Sequence, residues 1–474
     1  MHFNFRSIAL CISIALLLPS LSTAKLPDGV NIESESIFIT DAQIDFLYDL
    51  TVNIEAPQTE EDEEPELKER LLHQEIFDNV YQVIDNAEQF LVLDMFLFMH
   101  DPKGNEELLP LAETLKNNLV AKRQAMPTLP IYFITDEFNT FYRSYNNPLL
   151  VELEQAGVEI IYTDMTETPY PNRTVSWVTN ITVKPFGLPD YDGGWLPGPV
   201  SEEKVAMRSM IRLLDFKANH RKLIISEQEA MIMSANPHTA SSLHSNVGIR
   251  VQSTELVQAM LQSEQAIAEF SDGQIPIEFT PTTSTGDIEI KYVTENQIEQ
   301  SVLTTIEQAK KGDRIDIGMF YFSRRSIIKQ LKKAAERGVI IELVLDANKD
   351  AFGREKSGIP NRQTAYELEK KGIAIHWYNT HGEQFHSKIF MYQSNHNSVV
   401  ILGSGNYTKR NLGNYNLEAN LYVDSPNTSQ FTQEVAQYFN EIKLHSLPFE
   451  AYRSWSPIKR GIYRFQEWSG LSTF

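Results

Sequence analysis

Cysteine is nearly absent from this chain: Cys11 is the single one in 474 residues. That count excludes a disulfide scaffold and a cysteine-based zinc site. Basic residues are also scarce. Lys plus Arg is 42 against 63 Asp plus Glu, for a formal charge of −21. Binding to nucleic acid begins with neutralisation of phosphate charge, so this balance disfavours a general nucleic-acid partner while leaving room for a local basic groove. Beyond residue 21 no apolar run is long enough for a membrane span, which takes roughly 20 residues. What is present is an apolar fraction of 42% with 10% aromatics, enough for packed cores in two or three domains.

The N-terminus has the form of an export signal. Arg6 precedes an apolar run from Ile8 to Leu21, and Ser22-Thr23-Ala24 offers a small-x-small cleavage site. Residues 1–24 are therefore read as a signal peptide, and the chain as exported to a periplasm or the medium, with membrane association left open. Residues 25–65 are read as an N-terminal extension with an acidic linker, TEEDEEPELKE from Thr59 to Glu69 running across its end. Residues 271–287, rich in Pro, Thr, Ser and Gly, read as an inter-domain linker.

The two sides of that linker repeat each other. A helical pattern leads into the apolar strand Phe90–Phe96 on one side and Ile315–Phe320 on the other. A helix follows in each half, at Glu106–Lys122 and Ser326–Arg337, then a strand ending in an aspartate, Asp136 or Asp346. A second helix stops at Gly157 or Gly372, and another strand begins. The alternation predicts an α/β class with two repeated lobes, residues 66–270 and 288–445, each holding a largely parallel or mixed sheet. Gly157 and His220 lie 63 positions apart, whereas Gly372 and His386 lie 14 apart. The first lobe thus carries an insertion at about 164–213, rich in Pro, Gly and Trp, suited to a lid, a substrate wall or a self-packed excursion. Residues 446–474 form a basic-aromatic arm with seven aromatics and Arg453, Lys459, Arg460 and Arg464. Such an arm can pack across a lobe or dock at a lipid surface.

Each half then presents one pattern. The first reads His220-Arg221-Lys222, with Ser234-Ala235-Asn236 after it. The second reads His386-Ser387-Lys388, with Gly403-Ser404-Gly405-Asn406 after it. Residues i and i+2 of a strand share a face, so His and Lys of each pair project together. If the halves meet, two Lys and two Asn surround one phosphate as donors. One imidazole can then attack phosphorus while the other protonates the leaving oxygen. This chemistry requires no metal. His381, His386 and His396 share no helix face, which argues against a metal site. Ser241, Ser242 and His244 lack the turn of a serine hydrolase.

This doubled pattern resembles the phospholipase D superfamily, whose signature is H-x-K-x4-D followed by G-S-x-N. The resemblance spans roughly Leu67 to Leu444. It implies two α-β-α sandwich lobes related by a pseudo-twofold axis, with one shared active site, and a phosphohistidine route without metal or other cofactor. It implies His220 and His386 as nucleophile and acid/base, with His220 favoured as nucleophile. It implies Lys222, Lys388, Asn236, Asn406 and Ser404 at the phosphate. It also implies Glu418, within Asn416-Leu417-Glu418, as the carboxylate behind a catalytic histidine. The first-half counterpart of that triplet is expected at Asn246-Val247-Gly248, without a carboxylate. Glu227 and Gln393 replace the signature's aspartate, and Met233 replaces a glycine. The expected activity is hydrolysis or transfer of phosphatidyl groups on a phospholipid or other phosphodiester, by a monomer that has both motifs in one chain. The alternatives are a cardiolipin-synthase-like transferase, a metal-independent nuclease and an inactive phosphate-binding homologue.

Overall fold

The computed structural model describes residues 26–55, 67–99, 108–172, 177, 179, 181, 183, 185–199, 203–215, 217–351, 354–355, 357–453 and 456–472. The signal peptide expected at 1–24 and most of the acidic linker lie outside them. Two large sheets organise the chain. The first runs β3 (Leu67–His73), β2 (Ile44–Glu55), β11 (Asn246–Val251), β10 (Ala230–Met233), β9 (Lys222–Ser226), β4 (Leu91–Met95), β5 (Ile131–Asp136), β6 (Glu159–Thr163). The second runs β1 (Ile37–Ile39), β12 (Ile288–Thr294), β20 (Ala419–Pro426), β19 (Asn397–Gly403), β18 (Lys388–Gln393), β13 (Arg314–Met319), β14 (Ile340–Leu345), β17 (Ala374–Tyr378), β21 (Ser446–Pro448). Two small hairpins, β7 (Leu196–Pro197) with β8 (Lys204–Val205) and β15 (Asp350–Ala351) with β16 (Arg354–Glu355), stand apart.

From β2 to β6 and from β12 to β17 the two orders correspond strand for strand, as a repeat requires. The sheets are mixed rather than largely parallel. Only β4–β5 and β5–β6 pair parallel in the first, and β13–β14 and β14–β17 in the second. The reason lies in the connections. Helices carry the chain between the parallel strands, whereas β9 turns back into β10 within Glu227–Glu229, too few residues for a crossover.

Residues alternate between two environments along each strand. Leu91, Leu93 and Met95 of β4 enter an outer core with the helices Ile76–Asn86 and Leu111–Ala125, while Val92 enters a shared core. In the second lobe Phe390 faces its outer core with the helix Arg325–Arg337, while Ile389 and Met391 face the shared one. The shared core joins the helices Thr254–Phe270 and Gln430–Leu444 to both sheets, so the lobes bury one continuous apolar interior.

The segment read as an N-terminal extension belongs to both lobes. β1 pairs with β12 and β2 pairs with β11. Its alternating pattern, Ile44-Asp45-Phe46, is that of a half-buried strand. The linker at 271–287 lies along the helix Thr254–Phe270, where Gln265 Nε2 donates to the carbonyls of Ile275 and Ile277. The described part of the insertion packs on the first lobe. Ser209 Oγ donates to the Tyr142 carbonyl, and Tyr191 N–H to that of Arg143. No helix among the described residues is long and apolar enough to cross a membrane.

Candidate active site

Each H-x-K begins just before a central strand, and a buried carboxylate fixes its approach. Asp136 accepts the backbone N–H of Asn219 at 2.8 Å, and Asp346 that of Phe385 at 2.9 Å. These are the aspartates that close the repeated strands β5 and β14. Burial raises them to about 7 and about 6, against the backbone donors that favour their charged forms.

The lobes are stitched at these same points. His220 N–H donates to the Leu417 carbonyl and Leu417 N–H to the Ala218 carbonyl, at 2.8 and 3.0 Å. In the mirror-related place His386 N–H donates to the Ser245 carbonyl and Ser245 N–H to the Gln384 carbonyl, at 2.8 and 3.0 Å. Each histidine is thereby set beside the residue that follows in the opposite lobe, Glu418 or Asn246.

His220 Nδ1 lies 3.0 Å from Glu418 Oε2. A carboxylate oxygen only accepts, so Nδ1 carries the proton and the Nε2 lone pair is left for chemistry. Burial pushes the imidazole down to about 4, against the attraction of Glu418, and Lys222 and Lys388 add to the fall. It is therefore neutral at physiological pH. Glu418 is itself fully buried, and burial pushes it up. The hydrogen bond from His220, the charge of Lys222 and the Ser404 hydroxyl more than reverse this, so it sits below the usual carboxylate range.

His386 is held differently. Its Nδ1 lies 3.0 Å from Asn246 Oδ1, an oxygen that also accepts from Ser234 Oγ at 3.1 Å. Burial first, then Lys388, His244, Lys222 and His220, put its pKa well below the ordinary value. Ser404 Oγ reaches Glu418 as Ser234 Oγ reaches Asn246, and the two hydroxyls accept from Ala419 N–H and Val247 N–H. The counterpart of Glu418 is therefore Asn246, and that of Asn416 is His244. The alignment expected from Asn246-Val247-Gly248 was displaced by two residues.

The lysines complete the pair. Lys222 Nζ donates to the His220 carbonyl and Lys388 Nζ to the His386 carbonyl, each at 2.6 Å. Burial lowers Lys222 to about 7 against Glu418 and Asp94. Burial and the Lys222 charge lower Lys388 well below its ordinary range. Asn406 Oδ1 accepts from Tyr321 N–H at 3.2 Å. Asn236 Oδ1 is buried with no hydrogen-bond partner among the described residues, and an orphaned buried amide suits a ligand contact. The Ser404 hydroxyl is turned onto Glu418 and Ala419, a position for orienting the carboxylate rather than for holding phosphate.

Sequence reading missed the aromatic floor. Phe96 and Phe320 hold the same place in each repeat. Their rings lie 4.8 Å from His220 and 5.0 Å from His386, and 5.0 and 5.3 Å from Lys222 Nζ and Lys388 Nζ. The repeat itself was the available signal, since each phenylalanine ends an equivalent strand. Phe138 stacks on Phe96, in the loop on which the insertion packs. Tyr463 of the C-terminal arm packs with Phe320 and Tyr321. His244, weighed in the sequence only as part of a serine-hydrolase set, also stands at this site. Its ring lies 5.9 Å from His386, and its Nδ1 accepts from Gln384 N–H. Burial, with His238 and Lys388, lowers it to about 3.

Comparison with known proteins fits this geometry. The family model described as cardiolipin synthase, PLD-like domain, matches residues 302–443, which contain the second H-x-K and its asparagine. That match lies within the second lobe, which therefore carries a phospholipase D-like domain. No curated protein sequence matches it. Among solved structures it is similar to phosphatidylserine synthase from Haemophilus influenzae Rd KW20, at TM-score 0.58 and 11% identity over 94% of this chain and 96% of that one. At that identity the likeness is one of fold. Polyphosphate kinase from Porphyromonas gingivalis matches at TM-score 0.45 and 13% identity, over 82% of this chain and 51% of that one. Nuc from Salmonella typhimurium, a phospholipase D family member, matches at TM-score 0.28 and 18% identity, over 34% and 97%.

Two of the departures from the superfamily signature, Glu227 and Gln393, have structural accounts. Glu227 accepts the backbone N–H groups of Glu88 and Gln89 at 2.9 and 3.1 Å, fastening the turn before β4. In the second lobe Asp313 takes the Lys310 N–H at 2.7 Å in the equivalent turn. Asp313 thus takes over for Gln393 one of the two N–H groups that Glu227 holds in the first lobe. Both positions are remote in role from the proton chemistry of the histidines.

Proposed function

We propose that this chain is an exported phosphodiesterase that cleaves or transfers phosphatidyl groups through a phosphohistidine, with no metal in the reaction. The observation that carries the reading is the cross-lobe pair of neutral histidines. Each has Nδ1 occupied by an acceptor from the other lobe, and each stands beside a buried lysine.

His220 is the nucleophile in this reading because it has the carboxylate. An imidazole bonded to phosphorus carries positive charge, and Glu418 stabilises that charge where the neutral Asn246 stabilises it less. Nε2 of His220 attacks phosphorus as the bond to the leaving oxygen breaks. His386 Nε2–H gives that oxygen its proton. His386 then takes a proton from water or an acceptor alcohol, whose oxygen attacks phosphorus and breaks the N–P bond. His220 is restored, and His386 is again protonated. Lys222, Lys388 and the two asparagines offset the charge on the phosphoryl oxygens. The acid form of His386 requires its pKa to rise beside the bound anion, which adds an attractive charge.

Support for a lipid substrate comes from the acidic net charge, which opposes nucleic acid, and from the description of the matching family model. That description favours a second reading, in which the acceptor is a lipid alcohol and the product is a cardiolipin. The test is a panel of phosphatidylcholine, phosphatidylglycerol and single-stranded DNA, with EDTA present, run beside His220→Ala and His386→Ala. Headgroup release or cardiolipin formation, lost in both variants, is expected. Turnover of DNA alone, or of none of the three, overturns the reading.

A further inference from the structure

The C-terminal helix Pro457–Ser469 turns its polar side inward. Tyr463 and Glu467 are buried, and Glu467 accepts from Ser323 Oγ at 2.7 Å and from Lys409 N–H at 3.1 Å. The outward side carries Ile458, Ile462, Phe465 and Trp468, exposed by 75, 45, 40 and 43%. Positions 458, 462, 465 and 468 follow helical spacing, so they form one apolar stripe. Scattered exposed apolar residues are ordinary on a protein surface, whereas a stripe of four with two aromatics marks a contact site.

Beside the stripe lies a cavity of about 800 Å³ lined by Arg324, Arg325, Lys409, Arg460, Arg464 and Trp468, among others. Glu299 pairs with Arg324, Glu367 with Arg325 and Arg464, and Glu467 also lines the space. Five cations thus face three carboxylates, a local excess of positive charge on a chain of net −21. Arg460 is exposed and has no carboxylate partner among the described residues. Apolar and aromatic side chains flanked by arginine and lysine match the boundary of an anionic bilayer, where the rings sit among acyl chains and the cations meet lipid phosphates.

We propose that this helix and the cationic cavity beside it form a docking surface for an anionic phospholipid bilayer. The surface lies next to the active site. Tyr463, on the inner side of the same helix, packs with Phe320 and Tyr321, and Phe320 stands against His386. Asn172 Nδ2 of the insertion donates to the Ser469 carbonyl at 2.8 Å, bracing the far end of the helix. Between a bilayer held on the stripe and His386 stand the helix itself and the side chains of Tyr463 and Phe320. A nucleic acid would meet the same cations but would leave two exposed isoleucines without a role. The purpose of the surface rests on the lipid reading above, but the binding itself needs no turnover.

The experiment is co-sedimentation of the purified chain with vesicles of phosphatidylcholine alone and of phosphatidylcholine mixed with phosphatidylglycerol. Ile458→Ser combined with Phe465→Ser, and separately Arg460→Glu, test the two halves of the surface. All three positions are solvent-exposed, and turnover of a soluble short-chain phosphodiester by each variant checks that the fold is kept. The expected result is preference of the wild type for the anionic vesicles, weakened at least tenfold by each variant, with soluble-substrate turnover unchanged. The apolar N-terminal run is common to all forms, so the difference reports the helix. Equal binding to both vesicles, binding unchanged by the variants, or retention by single-stranded DNA instead of vesicles overturns the proposal. Vesicle binding without turnover of any phosphodiester would leave it standing while removing the proposed activity. Turnover of the soluble substrate without vesicle binding would do the reverse.

Discussion

Glu418 stands 3.0 Å behind His220, just before the strand Ala419–Pro426 of the lobe opposite the one that carries the histidine. The pseudo-twofold relation puts Asn246 at the same 3.0 Å behind His386. One acid and one amide occupy equivalent places, so the two imidazoles are unequal in a site that is otherwise nearly symmetric.

Glu418→Gln keeps the hydrogen-bonding shape and removes the charge. Turnover is expected to fall by roughly 10²–10⁴-fold. His220 must be neutral to attack, so activity declines as pH drops through its pKa, about 4. Glu418 raises that pKa, and the variant's acidic limb should move to lower pH. A pH–rate profile of kcat/KM checks both parts. An acidic limb that stays in place would assign the limb to another group.

Asn246→Asp places a carboxylate behind His386. Its imidazolium is then favoured, and its pKa rises. In the proposed mechanism His386 gives a proton to the leaving oxygen, so the basic limb of the profile should extend to higher pH. The same measurement reads it, and an unshifted basic limb argues that His386 is not the acid.

Burial holds the Lys222 ammonium down to about 7. An oxyanion set beside it favours the charged form, so binding takes up a proton above neutral pH. Affinity for inorganic tungstate should fall as pH rises from 7 to 9, by up to about tenfold per unit for one linked proton. Calorimetry in two buffers of different ionisation enthalpy measures the uptake, which Lys222→Met should remove.

Arg221, within the first H-x-K, is fully buried. It pairs with Glu264 at 2.7 Å and with Glu295 of the second lobe at 2.8 Å. Glu295 also accepts from Glu418 N–H and Asn31 N–H. Arg221→Met leaves buried carboxylates uncompensated, and should cost roughly 3–5 kcal/mol. Urea unfolding of the variant measures it.

Much of the site was legible because the chain repeats itself. A lone H-x-K is uninformative, but two copies after the same order of helices and strands identify His220, Lys222, His386 and Lys388 as a set. Asp136 and Asp346 were visible as strand ends, though their task of accepting the N–H before each histidine was not. The strand Ile44–Glu55 was readable by its alternation. Its partner β11, however, begins 191 residues beyond its own last residue, and local pattern does not report a pairing across that separation.

The sequence by itself determined the chemistry available: paired imidazoles, paired ammonium groups, paired amides and no cysteine in reach. It did so because catalysis of this kind needs particular side chains at short spacings, and short spacings survive in one dimension. Only the tertiary structure decided which acceptor stands behind which histidine. Glu418 belongs to His220 and Asn246 to His386 because the backbone bridges Leu417–His220 and Ser245–His386 cross between lobes. It also decided that Ser404 orients a carboxylate and that the helix Pro457–Ser469 keeps four apolar side chains in solvent. Both depend on which face of an element meets a distant neighbour, and that is set by the packing of the two lobes rather than by the residues alongside.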